Sequence, residues 1–115
     1  MRSEKSKIQG IVKELMSNSL NAEATEIKVQ VDRGKDKTVI KVIDNGKGMD
    51  SKTLKGVLDL LNQPRRDELE DYYGGLAGNS QTASGLNIVG MLVDEAKVYS
   101  EEGKGTTVEV IRYKR

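Results

Sequence analysis

Residues 25–44, TEIKVQVDRGKDKTVIKVID, read as two strands and the turn that joins them. Over 25–32, Ile27, Val29 and Val31 alternate strictly with polar residues, the period-two pattern of a strand with one apolar face. RGKDK is polar and contains a glycine, which suits a hairpin connection, and TVIKVID (38–44) is the return strand.

Before the hairpin, residues 4–22 predict a helix. Ile8, Ile11, Val12, Leu15 and Met16 recur at the spacing of one buried helical stripe. Beyond it, SKTLKGVLDLL (51–61) predicts a second helix, opened by Asp50 or Ser51 as a cap. Periodicity then disappears from Asn62 to Ser84, a segment with the chain's single proline and a run of Gly, Asn and Ser. An unstructured stretch of that length in a compact domain predicts a lid over a ligand or a disordered segment. Helical order returns from about Gly85 to Glu95, and AKVYS (96–100) and TTVEVIRY (106–113) are strands joined by the turn EEGKG. The order predicts one α+β domain over 1–115. Its form is a two-layer sandwich, with a four-stranded, mostly antiparallel sheet carrying about three helices on one face.

Composition narrows the chemistry. The chain has 115 residues, no Cys, no His, no Phe and no Trp. Its core must therefore be aliphatic, and thiolate sites, disulfides and histidine bases are excluded. A formal charge of +1 gives no global field toward nucleic acid or a membrane surface. The start MRSEKSK lacks the apolar stretch of a signal peptide, and no apolar run reaches membrane-spanning length, so a cytoplasmic setting is expected.

Two constellations carry chemistry. On the first helix, Glu14, Asn18 and Asn21 fall within ~60° of one another around the axis, beside the small residues Ser19, Ala22 and Ala24. A solvated helix face is the plain reading. The functional one starts from asparagine being a poor helix former: an amide oxygen can hold Mg²⁺, and a carboxylate one turn away can orient a water. DNGKGMD (44–50) is good turn chemistry. It could equally let Asp44 accept from an exocyclic amine, while Gly46 and Gly48 admit a flat base to the backbone. The phosphate loop G-x-x-x-x-G-K-[ST] does not occur in the chain.

Taken in order, ELMSNSLNAEAT, DNGKGMD, GGLAGNSQTASGLNIV and GKGTTVEV resemble the four motifs of the Bergerat-fold (GHKL) ATPases. That family includes DNA gyrase B, the ninety-kilodalton heat-shock chaperones, sensor histidine kinases and MutL. The resemblance covers nearly the whole chain and implies a nucleotide-binding domain with ATP and Mg²⁺ as cofactors. It implies Glu14 as water-activating base, Asn18 as Mg²⁺ ligand and Asp44 as the acid that reads adenine. Asn21 and Ala22 would lie along the same site, with Gly46, Gly48 and Met49 against the base. Gly85 and Leu86 would hold phosphates at a helix start, and Thr106 would stand near the adenine.

There are departures from the pattern. Asn21 replaces an acid usual in the MutL and chaperone branches, and Ala83 and Asn87 replace glycines of the third motif. Gyrase and MutL continue into a domain that donates a lysine to the γ-phosphate, so slow or partner-dependent hydrolysis is expected of this chain alone. The expected function is a small Mg²⁺-dependent ATPase whose lid, about residues 62–84, is read by a protein partner, with no nucleic acid bound by itself. A protein kinase of the same fold and a non-catalytic nucleotide sensor are the alternatives.

Overall fold

The computed structural model describes residues 3–66 and 84–115. Seven elements follow one another: α1 (Glu4–Asn21), β1 (Ile27–Arg33), β2 (Lys37–Asp44), α2 (Ser51–Leu61), α3 (Ser84–Leu92), β3 (Glu95–Glu101) and β4 (Gly105–Tyr113). The four strands form one antiparallel sheet in the order β1-β2-β4-β3. This is the α+β sandwich expected from the sequence, with the helices on one face.

The register explains why the helices take that face. Ile40 pairs with Val110 and Val42 with Val108, while Ala96 and Val98 stand opposite the same two β4 residues. Cross-strand partners point the same way, so these side chains make one continuous apolar surface. Ile8, Ile11 and Leu15 of α1, Val57 and Leu61 of α2, and Leu86, Ile88, Val89 and Leu92 of α3 close over it. Among the described residues this core is wholly aliphatic.

Local chemistry sets the element ends. Ser3 caps α1 by accepting from Ser6 N–H at 3.1 Å, and Asp50, not Ser51, caps α2 by accepting from Thr53 N–H at 2.7 Å. β1 starts at Ile27 and not at Thr25, because Thr25 and Glu26 both donate their N–H groups to Asn45 Oδ1 at 2.9 and 3.0 Å. The last helix stops at Leu92, three residues earlier than its apolar run suggests. Arg112 Nη1 donates to Leu92 O at 2.7 Å, satisfying a terminal carbonyl, and Asp94 N–H already donates to Ile111 O of the sheet.

Residues 67–83, most of the expected lid, lie outside the described residues. Its first part, 62–66, is tied to the body of the domain. Gln63 Nε2 donates to Leu60 O and to Asn87 Oδ1, both at 2.7 Å, and Arg66 N–H donates to Met91 O at 2.9 Å. Arg65 donates to Asp94 Oδ2 at 3.0 Å and to Tyr113 O at 2.8 Å. Through these bonds the segment 62–66, the first part of the expected lid, is anchored to α2, α3 and the end of β4.

At the pole formed by the start of α1 and the end of β4, the guanidinium of Arg112 is 2% exposed and grips Glu4 with two hydrogen bonds, 2.6 and 2.8 Å. That grip holds the Glu4 carboxyl below its ordinary value of 4.5. A carboxylate depressed on folding stabilises fully above its unfolded value, and the contribution is lost as pH falls through the lower folded value. Since Glu4 is partly exposed, the contribution is screened to about 1 kcal/mol. Glu4→Gln is expected to lower stability by that amount at neutral pH and to flatten the acid limb, as read by urea melts at neutral and acid pH. Parallel acid limbs in the two proteins would show that the pair contributes nothing.

Candidate functional site

The end of α1, the β2–α2 loop, the start of α3 and the start of β4 meet around a groove of about 270 Å³. Its lining includes Asn18, Asn21, Ala22, Gly48, Met49, Leu86 and Thr106, all marked in the sequence, together with Lys47, Thr53 and Val57. The topology explains the gathering. β2 and β4 are neighbours, so the loop leaving β2 at Asp44 passes the residue that begins β4, and α1 runs over both with its C-terminal turn at that end.

Asp44 is 8% exposed and does not line the groove itself; its partner in register, Thr106, does. Both carboxylate oxygens are already held. Ser19 Oγ donates to Oδ2 at 2.6 Å, and Gly46 N–H donates to Oδ1 at 2.8 Å. Each oxygen keeps a second lone pair, so the group is an oriented acceptor with spare capacity. The next residue, Asn45, clamps the approach to β1: besides its two backbone bonds, its Nδ2 donates to Thr25 Oγ1 at 3.0 Å.

The two glycines of the loop serve the protein's own packing. A Cβ on Gly46 would lie 2.7 Å from Ala22 O, and Lys47 N–H donates to the same oxygen at 2.9 Å. Gly48 lines the groove but is required by the β3–β4 turn, since its Cβ would fall 2.0 Å from Glu101 O. Met49 N–H then donates to Ser100 Oγ at 2.9 Å, and Ser100 and Thr106 share a hydroxyl bond of 2.8 Å. Gly46 and Gly48, read in the sequence as openings for a flat base, are both sites of close backbone approach within the fold.

The polar line on α1 grades from interior to solvent. Glu14 is 5% exposed, Asn18 is half-buried and Asn21 is exposed. Asn18 and Asn21 reach the groove, whereas Glu14, a turn deeper, does not line it. Gly85 is buried at the start of α3 and stands behind Leu86, which does line it. Asn87, where the family motif has a glycine, is occupied by Gln63, which donates to both its side-chain and backbone oxygens at 2.7 and 3.1 Å.

Among the described residues, no group of three or more acidic side chains could hold a metal by itself. Mg²⁺ does not require one, since it is commonly bound by one or two protein oxygens with phosphate and water completing its shell. A half-buried amide on the groove wall fits that role, and the lining fits a flat, partly apolar ligand with an anionic tail: Met49, Val57 and Leu86 are apolar, and Lys47 carries the charge.

Ser19, Lys47, Ser100, Thr53 and Val57 were not marked as site residues in the sequence. Lys47 lies inside the quoted DNGKGMD and could have been marked. Ser19 and Ser100 act on residues 25 and 51 positions away, which no local pattern reports.

The family model described as "Histidine kinase-, DNA gyrase B-, and HSP90-like ATPase" matches residues 3–114. The DNA mismatch repair protein MutL of Thermosipho melanesiensis is 30% identical over 121 residues, covering 87% of this chain and 22% of that protein. MutL of Fervidobacterium nodosum is 44% identical over 63 residues, 55% of this chain and 10% of its own, and MutL of Shewanella piezotolerans is 26% identical over 108 residues, 87% and 17%. The chain spans about a fifth or less of the length of these relatives. No described helix is long and apolar enough to cross a membrane.

Proposed function

We propose, on the premise that the chain belongs to the histidine kinase-, DNA gyrase B- and HSP90-like ATPase family, that its groove binds ATP with Mg²⁺ and that the domain hydrolyses it slowly. Adenine-nucleotide binding comes with the family. The observation that supports assigning it to this groove is the convergence of Asn18, Asn21, Ala22, Gly48, Met49, Leu86 and Thr106 on one hollow beside Asp44. The base lies against Met49 and Thr106, and Asp44, oriented by Ser19 and Gly46, accepts from its exocyclic amine. Lys47, the one charged side chain on the lining among the described residues, offers positive charge to an anionic ligand.

Asn18 would hold Mg²⁺ through its amide oxygen, and the ion, when bound, neutralises charge on the phosphates. Glu14 takes the proton of the attacking water as general base, since the chain has no histidine or cysteine to compete for the role. The nucleotide state of the domain is read by a protein partner. The matching family is described as an ATPase and none of the named relatives is named as a kinase, which supports hydrolysis over transfer to a protein side chain. A nucleotide sensor without turnover is the second reading, favoured by Glu14 standing off the groove lining.

MgATP is expected to raise the melting temperature. A ligand bound only by the folded state adds about 2.7 kcal/mol at ~100 times Kd, several degrees for a domain of this size. Asp44→Asn is expected to weaken binding roughly ten- to hundred-fold, the worth of a hydrogen bond to a charged acceptor, and to erode the preference for adenine over guanine. No thermal shift at millimolar MgATP would remove the nucleotide reading.

A further inference from the structure

The strand β1, IKVQVDR, is an edge of the sheet and among the described residues pairs only with β2. Its helix-side residues Val29 and Val31 are each 39% exposed, although they stand in register with the buried Val42 and Ile40. On α1, Met16 and Leu20 are 37% and 58% exposed, on the opposite flank of the helix from Asn18 and Asn21. The apolar sheet face therefore runs out past its helical cover at this edge. Long exposed apolar edges invite pairing with another strand.

The sequence of the edge specifies the partner. Antiparallel pairing of β1 with a second β1, centred on Gln30, sets Val29 opposite Val31, Lys28 opposite Asp32 and Gln30 opposite itself. All seven residues pair, and by symmetry each cross-pair occurs twice. The backbone agrees with this register. Counting the alternation of the ladder from Gly34 N–H, which donates to Lys37 O at 2.8 Å, Lys28, Gln30 and Asp32 turn their peptide groups toward β2. Ile27, Val29, Val31 and Arg33 turn theirs to the open edge, so Val29 and Val31 form the hydrogen-bonded pairs of the new ladder. Lys28 and Asp32 then fall in the closer, non-hydrogen-bonded pairs, where opposite charges interact best. Moving the centre to Val29 sets Asp32 against Glu26, and moving it to Val31 sets Val29 against Arg33.

We propose that β1 is a homodimer seam, joining two copies of this chain through a two-fold centred on Gln30 into one eight-stranded sheet. Met16 and Leu20 of the two copies then cover the exposed valines, and both grooves stay open on the far flanks of the two α1 helices.

The test uses the whole chain and sedimentation equilibrium from micromolar to near-millimolar concentration. The wild type is expected to dimerise reversibly. Lys28→Asp and Asp32→Lys, each alone, set like charges opposite one another and are expected to raise the dimer dissociation constant about ten-fold or more. The double variant, and an equimolar mixture of the two single variants, are expected to recover the wild-type constant. Because the chain has no cysteine, Gln30→Cys gives an independent reading. It places two thiols on Cα atoms about 4.5 Å apart, within disulfide range, and is expected to cross-link much faster than Lys28→Cys. A monomer at every concentration, a dimer indifferent to both charge reversals, failure of the mixture to recover, or equal cross-linking of the two cysteine variants would each overturn the proposal.

Discussion

Glu14→Ala is expected to lower ATP turnover by ~10²–10⁴-fold, the usual worth of a general base, while leaving nucleotide affinity nearly unchanged. The split follows from placement. Glu14 is 5% exposed and does not line the groove, so its removal takes away no ligand contact. What is lost is a carboxylate one helical turn from Asn18, the proposed Mg²⁺ ligand. Glu14→Gln keeps the shape of the buried side chain and removes its basicity; it should fall almost as far, which separates lost chemistry from altered packing. Asn18→Ala should reduce both affinity and turnover, because Asn18 does line the groove and would hold an ion that neutralises charge on the ligand. Steady phosphate release that survives in both Glu14 variants would remove Glu14 from the reaction. A wild type that binds MgATP but releases no phosphate would leave the sensor reading.

The sheet was legible in the sequence because its signal is local. The alternation in 25–44 gives two strands, and the register Ile27↔Asp44 to Arg33↔Thr38 follows from the hairpin. The span of α2 was legible, 51–61, though the sequence left its cap open between Asp50 and Ser51 and the structure assigns it to Asp50. The end of α3 was not: Leu92 and Val93 are both apolar and both buried, and only Arg112, twenty residues on, marks Leu92 as the last carbonyl of a helix. The same distinction runs through the site. Asn18, Met49 and Thr106 could be marked because the family resemblance assigns their positions to the site, and the groove brings them together. Ser19 and Ser100 could not, since a serine is informative only once its partner is known. The exposure of Val29 and Val31 was also hidden. Strict alternation says that they share a face, and only the strand order says that the face lies beyond the helical cover.

Gly48→Ala is expected to lower the stability of the ligand-free domain by about 3 kcal/mol or more and to abolish nucleotide binding, a fall of over ten degrees in melting temperature for a domain of this size. Two costs combine. Gly48 has φ +71°, where a side chain brings about 1–3 kcal/mol of backbone strain. Its Cβ would also lie 2.0 Å from Glu101 O and 2.7 Å from Glu101 C, backbone atoms that can yield only by opening the β3–β4 turn. That turn is fastened to the loop at the same point, since Gly103 N–H donates to Lys47 O at 2.7 Å. Gly103 is the control. It has nearly the same φ, +78°, but nothing within 4 Å of its Cβ position, so Gly103→Ala bears the strain alone and should cost about 1 kcal/mol. The difference between the two variants isolates the overlap with Glu101, because the conformational term is common to both. If Gly48 were needed only to admit a flat base, the two variants would melt together without nucleotide and diverge only in its presence. A gap already present in the free protein makes the glycine a requirement of the fold, through which the loop and the start of β4 come to share one groove.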